Sequence, residues 1–373
     1  MYSGVISMLD RFKVPHGDEI RVPHESLRET VTAIFEKMGV TPEDAAQGAD
    51  VLVSTDLRGV ETHGVSNMLR NYVKAYNEGG LKSRPNWKIV RETPATATMD
   101  ADGALGIMIC PIAMRLAIKK AKEVGIGAVS MYNAGHSGAI GHHAMMAAKE
   151  GMVGMAMTAS GLQVVPTFAA EGRLGTNPIA IAAPAGKEAP FLFDAATSAI
   201  AGNKLGLAAR VGAKLLPGWV AELDGSPITE EIPVRGRGEY YQLPLGSTRE
   251  GSSHKGYGFA MMSEIMATML SGVLPPMVAG RGMGGVGSRH YFSAYSIEAF
   301  TDLDTFKDNM DQMLQTLKET KPAPGHDRVL YAGLSEYEEE QDRRANGIPL
   351  HKEVIQWFED ITGELSIPRL KTM

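Results

Sequence analysis

Cysteine is nearly absent: Cys110 is the only one in 373 residues. No disulfide can therefore form within the chain, and a reducing compartment is its natural setting. No run of about 18 apolar residues occurs, so no membrane-spanning helix is expected. Residues 1–10 carry neither a basic leader nor a cleavage site behind an apolar stretch, which predicts a cytoplasmic location. A basic excess is also missing. The net charge of −6 argues against nucleic acid or an anionic membrane as partner. Internal repeats, low-complexity tracts and the HExxH metal pattern are not found.

What is present is ordinary for a large globular chain: 44% hydrophobic and 21% charged residues, enough for one large or two intertwined domains. Glycine (42) and methionine (22) are plentiful. The glycines imply tight turns or close backbone approach to a ligand, and the methionines adaptable core filler.

Residues 1–22 show no period and read as an arm. Leu27, Val31, Ile34, Phe35 and Met38 repeat at helical spacing. Thr41-Pro42-Glu43-Asp44 signals the start of a second helix running to about Asp56, and a third spans 67–77. After Arg84-Pro85 the character changes. Weak strand signals at 95–100, 124–132, 153–158, 178–184 and 190–194 alternate with helical patterns at 107–122 and 139–149. Such alternation predicts an α/β fold with a parallel or mixed sheet covered on both faces. Residues 206–250 read as an excursion. Residues 256–274 are apolar almost all round and predict a buried helix, followed by a strand at 291–300 and charged helices to the end. Helices at both ends around a strand-rich middle predict a single lobe built from both termini. The expected parts are 1–84 and 301–373 for that lobe and 85–300 for the α/β domain.

The chemistry-bearing stretches lie at the connections. Gly135-His136-Ser137-Gly138 sits where a strand enters a turn and a helix leaves it, a place where backbone N–H groups can hold an anion and a histidine can trade protons. Arg58-Gly59 and Thr62-His63-Gly64 join two predicted helices. There Arg58 could fork onto a carboxylate and His63 act as acid or base, or the pair could be a plain helix cap. Gly175-Thr176-Asn177-Pro178 opens a strand, and Asp194-Ala195-Ala196-Thr197-Ser198 ends one, the side on which open sheets bind ligands. Lys255-Gly256-Tyr257-Gly258 opens the apolar helix. The sequence 282–287 satisfies GxGxxG, but a helix precedes it and a strand follows, the reverse of a dinucleotide fingerprint. His136, His142 and His143 raise the alternative of a metal-dependent hydrolase. Against it, adjacent helical histidines diverge by about 100°.

In order, these motifs resemble the malate/L-lactate dehydrogenase family that lacks a Rossmann fold, over roughly residues 25–350. Gly-His-Ser-Gly-Ala-Ile is most similar to its ureidoglycolate dehydrogenase branch. The resemblance implies a non-Rossmann mixed-sheet cofactor domain, a homodimer, and NAD or NADP as hydride carrier for a small 2-hydroxy acid, 2-oxo acid or cyclic imino acid. It implies cofactor contacts at Ser160, Asp194, Ala195, Ala196, Lys255 and the Gly333-Leu334-Ser335 segment. His136 is then the expected general acid/base, with a helix end favouring its neutral form. His63 is its partner or alternative, Arg58 the carboxylate ligand, and Asp194 secondarily a histidine orienter. No metal is expected. Three positions depart from the family: Thr62 stands where serine is usual, Asn67 where an arginine is usual, and His142-His143 where aromatics are common. With Asn67 there, either Arg58 or Arg70 replaces that arginine, the substrate differs, or the chain binds a metabolite without turnover.

Overall fold

The computed structural model describes residues 12–236, 238–279 and 287–373. Half of the expected arm, residues 1–11, and most of the GxGxxG stretch therefore lie outside the described residues. After a short 3-10 turn (His16–Asp18) come β1 (Glu19–Val22), α1 (His24–Lys37), α2 (Pro42–Leu57) and α3 (Val65–Asn77). Thr41 caps α2 as its sequence predicts, its hydroxyl accepting the Asp44 N–H at 3.3 Å. The apolar stripes of these helices meet in one core with Leu27, Phe35, Leu52 and Leu69 fully buried.

The central sheet is built by β2 (Lys88–Glu92), β3 (Thr96–Asp100), β4 (Ile126–Ala134), β5 (Met152–Ala159), β6 (Ile179–Ala183) and β7 (Phe191–Ala195), with α4 (Gly106–Val124) and α5 (Ile140–Lys149) between strands. Next come α6 (Gly202–Val211), β8 (Val220–Ala221), β9 (Tyr241–Gln242), α7 (Ser253–Ser263), a π turn (Glu264–Met269), α8 (Pro276–Ala279) and β10 (Ser288–Ser296). The chain ends with α9 (Leu303–Glu319), α10 (Leu334–Asn346), β11 (Ile348–His351) and α11 (Lys352–Glu364). The seven strands lie in the order β2-β3-β4-β10-β5-β6-β7. Only β3 and β4 pair in parallel; every other pairing in this sheet is antiparallel. β10 inserts between β4 and β5, so the two strands joined through α5 run the same way without touching. That insertion is why the sheet is mixed, and it leaves no adjacent parallel pair around α5 of the kind a Rossmann crevice needs.

β1 pairs with β11 from Glu19↔His351 to Val22↔Ile348, closing the helical lobe from both ends of the chain. α9 instead packs through Leu314 near the β6–β7 hairpin, where Asp311 accepts three N–H groups from residues 186–188. The expected excursion, 206–250, contributes Leu207, Leu215 and Trp219 to a small core that also takes in Phe12 and Ile200 from outside it. The apolar helix at 256–274 corrects its expectation. Ala260, Ser263 and Ala267 are buried, but Phe259, Met262, Ile265, Met269 and Leu270 are about half exposed. Among the described residues no helix is long and apolar enough to cross a membrane.

Candidate active site

The turn between β4 and α5 is pinned from three sides. Gly135 N–H donates to the Ala104 carbonyl at 2.8 Å, and Ile107 N–H at the start of α4 donates to the His136 carbonyl at 3.2 Å. A Cβ at Gly106 would stand 2.5 Å from the carbonyl oxygens of Gly135 and His136, so this approach requires glycine. From the sheet, His290 Nε2 donates to the Gly135 carbonyl at 3.1 Å. That fixes its Nδ1 as an acceptor for the Thr158 hydroxyl at 2.9 Å. His143 Nε2 donates to the Ser137 carbonyl at 3.0 Å. Burial pulls both of these histidines down to about 3, so they clamp the turn as neutral rings.

His136 itself lies at the tip, half-buried and facing a cleft. Its Nδ1 accepts from the Gly138 N–H at 3.2 Å and from the Tyr72 hydroxyl of α3 at 2.7 Å. A backbone N–H can only donate, so neutral His136 carries its proton on Nε2. Burial lowers its pKa to about 4. The expected neutral form is present, but burial rather than a helix end is its cause.

His63 stacks on His136 with ring centroids 5.5 Å apart and planes 9° apart. Its Nδ1 lies 2.8 Å from the Thr62 hydroxyl. Burial, with His136 second, lowers its pKa to about 3. The loop carrying it wraps around Asp56, whose Oδ2 accepts the Val65 N–H at 2.7 Å and so caps α3. Arg343 of α10 locks the same loop, holding Glu61 at 2.7 Å and the Asp56 carbonyl at 2.8 Å. Asn67 welds it to α6, its Nδ2 donating to the carbonyls of Thr62 and Asn203 at 3.0 Å each.

The cleft measures about 930 Å³, near the top of the roughly 300–1,000 Å³ typical of ligand sites. It is lined by Thr62, His63, His136, Asn203 and Lys204, and also by Arg58, His142, Asp194, Glu336 and Glu340. Ser160 and Ala196 line it as well. Asp194 reaches neither histidine of the stacked pair. Its Oδ2 accepts the Gly141 N–H at 2.7 Å in the first turn of α5, and desolvation by the cleft walls raises its carboxyl to about 6 against that hydrogen bond, although the residue is exposed at the cleft surface. The helix end expected to attract an anion is therefore matched by the protein's own carboxylate. Arg58 is also committed: its Nη1 lies 3.1 Å from Glu340 and its Nη2 3.5 Å from the Gly333 carbonyl. The expected fork onto a substrate carboxylate is not available while those bonds stand. Ala195 sits beside the cleft without lining it, and Lys255 is exposed on α7 outside it. Gly333, Leu334 and Ser335 form the start of α10, and Glu336 and Tyr337 just after them reach the cleft.

The three histidines of the metal alternative do not converge. His143 points to Ser137 and packs edge-on against Phe292, while His142 lines the cleft. Among the described residues no group of three His, Cys, Asp or Glu side chains is placed to hold an ion. Sequence reasoning missed Tyr72, Arg343 and Lys204. Tyr72 gave one usable signal, because a tyrosine on the buried stripe of a helix needs a partner for its hydroxyl. Arg343 and Lys204 gave none.

The model of a family described as malate/L-lactate dehydrogenase matches residues 22–359. A malate dehydrogenase of Pyrococcus horikoshii is 38% identical over 94% of this chain and 97% of its own. A ureidoglycolate dehydrogenase (NAD(+)) of Escherichia coli K12 is 29% identical over 91% and 95%. Whole-chain identity thus does not single out the ureidoglycolate branch suggested by the six-residue turn motif. The crystal structure of malate dehydrogenase from Entamoeba histolytica superposes with a TM-score of 0.88 at 32% identity, covering 94% of this chain and 99% of that one.

Proposed function

Because the chain belongs to the malate/L-lactate dehydrogenase family, we propose that its cleft transfers hydride reversibly between NAD(P) and C2 of a small 2-hydroxy acid. The observation that carries this reading is the stacked pair His63 and His136, held neutral in the wall of a cleft with room for a dinucleotide. Family dehydrogenases use NAD(P), and one relative is named as NAD(+)-dependent. The residues present suit such a group: the Asp194 carboxylate would accept hydroxyl donors of a ribose, and Ser160 and Ala196 line the same cleft. When bound, the nicotinamide supplies the acceptor or donor of hydride.

The protein's own share is the proton and the orientation. His136 presents Nε2–H to the substrate oxygen and stabilises negative charge developing there, while its Nδ1 stays occupied by Gly138 and Tyr72. It cannot accept a proton at a nitrogen that already carries one. His63 can. Its Nδ1 faces the Thr62 hydroxyl, which can accept as well as donate; in the tautomer with Nδ1–H donating to Thr62, Nε2 keeps a lone pair and takes the hydroxyl proton on oxidation. This assignment moves the general-base role from His136 to His63 and leaves His136 as the electrophilic donor.

The test is consumption of NADH or NADPH with a panel of 2-oxo acids, followed by absorbance. Turnover of at least one acid is expected. No turnover across the panel, with no cofactor binding by calorimetry, refutes the reading. The same family reading leads us to propose a homodimer, whose interface covers the half-exposed Phe259, Met262, Ile265, Met269 and Leu270. Lys255, on the same helix, would then join a site only through the assembled dimer. Light scattering should give twice the mass of the chain, and Met262→Asp should shift it to one chain. A monomeric wild type overturns this assignment.

A further inference from the structure

A buried ammonium without a counter-ion is costly, so an unpaired lysine in a cleft asks for an anion. Lys204, in the first turn of α6, is half-buried and lines the cleft beside Asn203. Among the described residues its Nζ has one contact, the face of the Phe12 ring 4.9 Å from the centroid. That ring is itself fixed by stacking on Trp219 at 5.9 Å. Burial lowers the pKa of the amine, as expected where no carboxylate offsets desolvation.

The other cations of the cleft are accounted for. Arg58 and Arg344 are paired with Glu340, and Arg235 with Glu222. Lys149 is exposed at the far end of α5, about 14 Å along the helix from its start. Position 67, where the resembled family carries arginine, holds an amide whose two hydrogen bonds are spent on joining the His63 loop to Asn203. That weld brings the start of α6 against the His63 loop, and Lys204, the next residue, lines the same cleft as the two histidines.

We propose that Lys204 binds the C1 carboxylate of the 2-hydroxy or 2-oxo acid, with Phe12 positioning its amine. This deepens the hydride-transfer reading and rests on it for the reaction. Lys204 takes the place of the missing arginine, and a flexible point charge replaces a planar fork, so substrates are selected for one carboxylate beside C2 rather than for bidentate geometry.

The experiment compares Lys204→Met and Lys204→Arg with wild type, using the 2-oxo acid that wild type reduces best and its C1 amide. Lys204→Met is expected to raise KM for the acid about 100-fold with kcat within about threefold. The amide, having no charge to lose, is unaffected, so the preference for acid over amide collapses. Lys204→Arg keeps most of that preference. Equal losses for acid and amide, or an unchanged KM for the acid, overturn the proposal. Calorimetry with oxamate on the cofactor-loaded protein separates this from failure of the enzyme reading. If wild type turns over nothing but binds oxamate, and Lys204→Met does not, the anion site stands while the reaction falls. Absence of oxamate binding to wild type, or equal binding to both, refutes the site.

Discussion

His63→Ala is expected to lower kcat for hydroxy-acid oxidation by about 10²–10⁴-fold, the usual worth of a positioned base. Loss of His136 should cost about 10²–10³-fold, the worth of a preorganised donor to a developing oxyanion. The two roles separate with an amide. Gln can donate an N–H but cannot take a proton, so His136→Gln should recover part of the activity lost in His136→Ala, whereas His63→Gln should stay as inactive as His63→Ala. The reverse pattern would return the base role to His136. The pH profile gives an independent check. Burial holds the two rings at about 3 and about 4, below the ordinary histidine value, so both are neutral above pH 5. At saturating cofactor, kcat/KM for oxidation should therefore be flat between pH 5 and 7. An inflection near 6.5 would show that an ordinary solvated histidine controls the reaction.

Arg343→Met should destabilise the fold by about 3–5 kcal/mol, measured by urea unfolding, the usual cost of stripping one partner from a buried ion pair. The guanidinium holds Glu61 at 2.7 Å, Glu339 at 2.8 Å and the Asp56 carbonyl at 2.8 Å, with its side chain 5% exposed. It thereby joins α10 to the loop that presents His63. Burial keeps the Glu61 carboxyl above its usual range even beside Arg343, so without the guanidinium Glu61 takes up a proton more readily still. The loss should accordingly be smaller near pH 5 than at pH 8, where the carboxylate would be left charged. A loss under 1 kcal/mol at pH 8 would show that water enters and solvates Glu61.

Local pattern determined a good deal. The apolar spacing of α1, the Thr41 cap of α2 and the strand-turn-helix around His136 are set by residues within a few positions of one another, so they are legible in one dimension. The ordered motifs likewise carried the family. Pairings over long separations were not legible. β1 and β11 are four residues each and meet across more than 300 positions, too short for alternation and too far apart for any turn signal. β10 enters the sheet between two strands that the chain had already joined. The apolar helix at 256–274 looked buried because composition reports hydrophobicity, not which face finds a neighbour.

The site divides in the same way. Sequence placed both histidines at connections, and it supplied Asp194, Ser160 and Arg58 as candidates. It could not show that Glu340 already holds Arg58, that Gly141 already holds Asp194, or that among the described residues Lys204 is left with only an aromatic face for company. Proton position was the clearest case. His63 and His136 are the same residue type in similar loops, but the Gly138 N–H packed against His136 can only donate and puts that ring's proton on Nε2, whereas the Thr62 hydroxyl beside His63 can accept as well as donate and leaves Nδ1–H open to it. Residue identity fixes what a group can do; its neighbours in space fix which of those things remains open to it.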